Sequence, residues 1–128
     1  MSGKIDISHL KVPPEKHELA TARFFAERGH DIVFIPPNNS PKMLTPDIIM
    51  DDVEWEIKCP RGRSKRTIEH NYRRAAKQSK YIIFDLRRCP LPEANTLRQL
   101  KREFEDRHTK RLKIILKNEK LIEYPENI

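Results

Sequence analysis

The sequence predicts a single α/β domain, a mixed sheet with helices on both faces. Its order is α-β-β-β-α-β, followed by a further helix and one or two strands. Three observations carry this. Segments with apolar residues near a 3.6 spacing alternate with short runs of alternating or continuous apolar residues. The second and third predicted strands are separated only by Asp51-Asp52, so they form a hairpin. The length of 128 residues is that of one domain. Residues 1–12 read as a loosely held leader and residues 13–128 as the domain.

Pro13-Pro14 set up the first helix, because proline suits a first turn. It is expected from Glu15 to Arg28 and to stop at Gly29, with Leu19, Ala22, Phe25 and Ala26 inward. Glu18 falls on the same inward side. Either the helix dipole favours an acid in the first turn, or Glu18 reaches a site and supplies a metal ligand. Periodicity leaves both open. Asp31 to Pro36 gives a strand that is apolar on both faces, as a covered central strand is. The loop Pro37-Asn38-Asn39-Ser40-Pro41-Lys42 leads into Asp47, as a rim touching substrate or as plain connector.

In the hairpin, Val53, Trp55, Ile57 and Cys59 share one face, and Glu54, Glu56 and Lys58 the other. A basic loop, Pro60 to Arg66, follows. A helix is expected from Ser64 to Ser79, with Ile68, Tyr72, Ala75 and Ser79 inward. Gln78 flanks that stripe near the helix end, as a plain terminal amide or as a group that positions water or phosphate. Lys80 to Arg88 is a strand, and Cys89-Pro90-Leu91-Pro92 breaks it and starts a helix to about His108, with Leu97, Leu100 and Phe104 inward. Arg111 to Lys117 and Leu121 to Tyr124 complete the sheet.

The hairpin carries the chemistry. Asp47 and Glu56 are two carboxylates that can hold a hard divalent cation, Mg²⁺ or Mn²⁺, which takes oxygen ligands and keeps several waters. Such a cation activates water and neutralises charge on a phosphate. Lys58, on the face of Glu56, can orient that water or stabilise the transition state. The bland alternative is a solvated strand face with ordinary charges.

Charge supports a polyanionic partner. The net charge is +7, charged residues make up 35%, and the pI is about 9.6. Arg61, Arg63, Lys65, Arg66, Arg73, Arg74 and Lys77 cluster beside Lys58, where they can neutralise phosphates. The hydrophobic fraction of 37% and mean hydropathy of -0.78 suffice for one modest core. No apolar run reaches membrane-spanning length and no signal-peptide pattern is present. The two cysteines form neither a disulfide framework nor a metal knuckle, and the five histidines lack zinc-ligand spacing.

The pattern Pro46-Asp47…Glu56-x-Lys58 resembles the motif of the PD-(D/E)xK nuclease superfamily, whose core has the same α-β-β-β-α-β order. That resemblance implies a restriction-endonuclease-like fold. A closer one rests on His17-Glu18-Leu19-Ala20, Gly29-His30-Asp31-Ile32-Val33, Thr45-Pro46-Asp47, Trp55-Glu56-Ile57-Lys58, Ala75-x-x-Gln78-Ser79 and Phe84-Asp85-Leu86. These resemble the C-terminal tRNase domains of contact-dependent growth-inhibition (CdiA-type) toxins. The resemblance implies a metal-dependent RNase with Asp47, Glu56 and Glu18 as metal ligands, Lys58 as a catalytic group and a site role for Gln78. It also implies a small immunity protein, delivery within a larger secreted toxin, and cytoplasmic action. One departure is that the chain begins with methionine and holds one domain, which fits an excised domain or a free-standing relative.

Three functions follow. The first is a metal-dependent nuclease acting on RNA, tRNA above all. The second is the same catalyst acting on DNA. The third is a basic nucleic-acid-binding module without catalysis, which leaves the gathering of Glu18, Asp47 and Glu56 near Lys58 unexplained, because bare acids repel phosphate.

Overall fold

The computed structural model describes residues 2–37 and 45–126, so residues 38–42 of the expected rim loop lie outside the described residues. Ten elements follow one another: β1 (Ile5–Asp6), α1 (Lys16–Ala26), β2 (Ile32–Phe34), β3 (Ile48–Met50), β4 (Val53–Lys58), α2 (Thr67–Gln78), β5 (Tyr81–Asp85), α3 (Glu93–Asp106), β6 (Arg111–Ile115) and β7 (Leu121–Tyr124). The strands form one seven-stranded mixed sheet whose spatial order is the chain order. β1 and β2 are parallel, as are β4, β5 and β6; the pairs β2–β3, β3–β4 and β6–β7 are antiparallel.

Each face has its own core. Phe24 and Phe25 of α1 pack with Ile32, Phe34, Ile48, Met50, Trp55, Ile57 and Ile83. On the other face Ile68, Tyr72 and Ala75 of α2 and Leu100 of α3 pack with Ile82, Phe84, Leu112 and Ile114. Trp55 anchors the first core at 1% exposure. Its Nε1 donates to the Met50 carbonyl at 3.1 Å, and its ring meets Tyr81 edge-on at 5.6 Å. Lys113, at the back of the sheet, is buried and paired with Glu123 across β6 and β7.

The hairpin forms as expected. Asp51 and Asp52 both sit in the left-handed region, at φ 55° and 63°, which a two-residue turn of the right twist demands. His30 Nδ1 lies 3.0 Å from Asp51 Oδ2 and ties that turn to the end of α1. Gly29, at φ 94°, ends α1 where the sequence places the stop.

Several boundaries differ: α1 ends at Ala26 rather than Arg28, and β5 spans Tyr81–Asp85 rather than Lys80 to Arg88. α2 begins at Thr67 rather than Ser64, because the Ser64 hydroxyl accepts the Arg66 N–H at 3.0 Å and its carbonyl accepts the Thr67 N–H at 3.2 Å. Such local bonds compete with helix. The stretch expected as a loose leader also carries β1, held by Gly3 N–H to the Ala26 carbonyl at 2.6 Å and by Lys4 N–H to Asp31 Oδ1 at 2.8 Å. This approach needs glycine, since a Cβ on Gly3 would lie 2.0 Å from the His30 carbonyl oxygen. Gly3→Ala is therefore expected to detach β1 at a cost of about 1–2 kcal/mol. Hydrogen exchange would show this as faster exchange at Ile32, whose N–H bonds the Lys4 carbonyl at 2.8 Å, with the central strands still protected.

Candidate active site

Paired residues of neighbouring strands share a face, so the register places each acid. Ile48 pairs with Trp55, and one step further sets Asp47 opposite Glu56. Glu56 pairs with Ile82 and Lys58 with Phe84, so both point to the face covered by α2 and α3. Glu56 is 2% exposed, which excludes an ordinary solvated strand face.

Asp47 is fixed from three sides. Its carbonyl accepts the Ile35 N–H at 2.9 Å, its N–H donates to the Trp55 carbonyl at 2.9 Å, and its Oδ2 accepts the Ile57 N–H at 2.8 Å. Lys58 Nζ stands 3.3 Å from Glu56 Oε2. Glu56 Oε1 is buried without a hydrogen-bond partner among the described residues. Glu18, half-buried on the first turn of α1, lies near enough to Asp47 to feel its charge, as does Glu56. Glu18 therefore stands both in the first turn of α1 and beside Asp47.

The electrostatics are those of acids short of countercharge. Burial, and then the Asp47 charge, push Glu56 up to about 8, against the pull of Lys58. Burial, and then Asp47, push Glu18 up to about 7. Burial also raises Asp47, opposed chiefly by the bond from Ile57. Protons on Glu18 and Glu56 thus stand in for missing positive charge. The donor set fits a hard cation: Asp47 and Glu56, whose Oε1 lacks a partner, are the oxygens that would hold it. Among the described residues no three His, Cys, Asp or Glu side chains are arranged to hold an ion together. The structure offers two carboxylate pairs that share Asp47.

Gln78 is not joined to the acids by any hydrogen bond among the described residues. It lines a groove of about 530 Å³ with Pro46, Glu54, Tyr81, Lys80 and Lys110. Pro46 brings that groove to the edge of the acid site. The seven expected phosphate-binding cations are all exposed. Arg66 is engaged by Glu69 at 2.7 Å. Helix geometry sorts the others on α2. Arg74 lies four residues before Gln78 and shares its flank, whereas Arg73 and Lys77 turn away from the groove. Lys80 and Lys110 were not singled out from the sequence. Only the β5–β6 register unites them, with Lys110 N–H on the Lys80 carbonyl at 2.8 Å.

Fold and site together define a mixed-sheet α/β domain with a buried glutamate, a half-buried aspartate and a lysine at the end of its central hairpin. Residues 44–121 match the family described as the contact-dependent growth inhibition CdiA C-terminal domain, and the chain belongs to that family. Among solved structures it is similar to a chain of the CdiA-CT/CdiI toxin and immunity complex from Burkholderia pseudomallei. The TM-score is 0.64 at 18% identity, over 94% of this chain and 98% of that one, so the likeness is one of fold. No curated protein matches significantly. No helix among the described residues is long and apolar enough to cross a membrane.

The raised carboxyls set a pH dependence. Their folded values lie above the ordinary glutamate value of 4.5, so the folded chain holds protons that the unfolded chain has lost. Stability from this source is greatest at low pH and falls as pH rises from about 5 towards 8. Asp85, whose carboxyl is lowered, completes its own contribution below that window. In EDTA, the melting temperature is expected to drop by several degrees between pH 5 and pH 8.5. A Glu18→Gln/Glu56→Gln variant is expected to show a flatter profile by calorimetry; an unchanged slope would refute the assignment.

Proposed function

We propose that this chain is the toxin domain of a contact-dependent growth-inhibition system and acts as a metal-dependent ribonuclease, with tRNA as its substrate. The observation that carries this reading is buried Glu56, with an orphaned oxygen, paired with half-buried Asp47 beside Lys58. A binding module has no use for such a pair, since buried acids repel phosphate and cost stability. The arrangement resembles the motif of the PD-(D/E)xK nucleases, which supports the reading. Membership in the CdiA C-terminal family supports the toxin role, and the choice of RNA rests on the motif resemblance to tRNase toxin domains. The similar B. pseudomallei chain is one of a toxin and immunity complex, which supports an immunity protein as partner; action in the cytoplasm of a recipient cell is part of the same proposal.

Asp47 and Glu56 would hold Mg²⁺ or Mn²⁺, with Glu18 supporting from the far side of Asp47. When bound, the ion supplies an activated water and neutralises charge on the phosphate. Lys58 donates to a phosphate oxygen as negative charge grows there, with Glu56 holding the ammonium in place. The Ile57 N–H keeps Asp47 aimed at the centre. Arg74, on the groove flank, and the loop cations Arg61, Arg63 and Lys65 bind the backbone.

Total tRNA and plasmid DNA incubated side by side with Mg²⁺ test this. Discrete tRNA fragments that vanish with EDTA are expected, with DNA intact. Glu56→Gln and Lys58→Ala are each expected to lower the rate at least about a hundredfold while the circular dichroism spectrum is kept. Cut DNA with intact tRNA would move the substrate to DNA, and full activity in either variant would sink the site. The α2 cations supply a second test. Arg74→Ala is expected to raise KM and flatten the salt dependence more than Arg73→Ala does; equal effects would contradict the groove assignment.

A further inference from the structure

Lys58 and Cys59 are neighbours at the end of β4, and their side chains leave it on opposite faces. Lys58 joins the acids. Cys59 goes to the α1 face, where a cavity of about 230 Å³ is lined by His17, Ala20, Cys59, Asp85, Arg87 and Arg88. α1 repeats the division: Glu18 meets Asp47, and His17, one residue earlier, lines the cavity. Acid site and cavity therefore stand back to back across the end of one strand.

The cavity is cationic. Its one acid, Asp85, is fully engaged. Oδ2 accepts from Thr21 Oγ1 at 2.6 Å and from Arg87 Nη2 at 2.7 Å, and Oδ1 accepts from the Arg87 backbone N–H at 3.1 Å and from its Nε at 3.0 Å. Arg87 Nη2 also donates to the Ala20 carbonyl at 3.1 Å, so this guanidinium is anchored to both walls. Arg88 is exposed, and its charge is felt at the Cys59 thiol. His17 stands at the rim, with Glu15 3.5 Å away on the solvent side. With Arg87 paired to Asp85 and His17 beside Glu15, Arg88 is the cation of this lining left to meet an anion, and Arg87 is held where it can share one.

We propose that this cavity holds a second phosphate of the nucleic-acid substrate, from a nucleotide near the scissile one, as the strand crosses the end of β4. The ligand rests on the nuclease reading. The cavity's affinity for phosphate does not.

The test uses the full chain. Isotope-labelled protein is titrated with inorganic phosphate and, separately, with a short RNA bearing a 5′-phosphate, in EDTA. Both are expected to shift the amide signals of His17, Cys59, Arg87 and Arg88, and Arg88→Ala is expected to abolish the shifts. In cleavage assays Arg88→Ala is expected to raise KM about tenfold with kcat changed less than about threefold, and to make the salt dependence shallower by about 0.7. Wild-type KM and salt dependence in Arg88→Ala, or phosphate and RNA titrations silent at these four residues, would overturn the proposal. Shifts with inorganic phosphate but none with RNA would overturn its substrate part. If no nucleic acid is cleaved, the nuclease reading fails and the titrations still decide the cavity.

Discussion

One hydrogen bond, from the Ile57 N–H to Asp47 Oδ2, organises the site. It spans the β3–β4 hairpin, where the Asp47 backbone already bonds the Trp55 carbonyl, so the acid is locked to the strand that carries its partner. It also partly offsets the burial of Asp47 by stabilising the charged form. Glu56 and Glu18 then have to accommodate a fixed negative neighbour, and both retain protons to do so. A site built this way is costly in the absence of ligand. The two cores on either side of the sheet, anchored by Trp55 and Tyr72, supply the rigidity that holds it.

Local signals made the hairpin legible in the sequence. Alternation put Trp55 and Ile57 inward, and paired aspartates, tolerant of left-handed backbone, marked the turn. With the turn known, Asp47, Glu56 and Lys58 fall on one face by counting alone. Glu18 was legible in direction and not in reach, because helical period gives a side and no distance. Gln78 was read to the correct end of α2, while its separation from the acids depends on how the helix crosses β4.

What escaped the sequence depends on distant segments meeting. β1 is two residues long, and it pairs only because a glycine two positions earlier lets the chain pass the His30 carbonyl. The cavity beside Cys59 draws on α1, the end of β4 and the turn after β5. Lys80 and Lys110 meet only through strand register. Ser64 misplaced the start of α2 because its side chain and carbonyl close a turn in which helical periodicity was already present.

The sheet's spatial order is also its chain order, and this bears on assembly. Every strand finds its partner in the strand next along the chain, across a turn, a loop or a single helix. No strand has to wait for a remote segment to be delivered, so loop-closure entropy stays low and the sheet can grow by adding one edge at a time. A fully extended chain can regain this structure progressively from either end, one strand at a time.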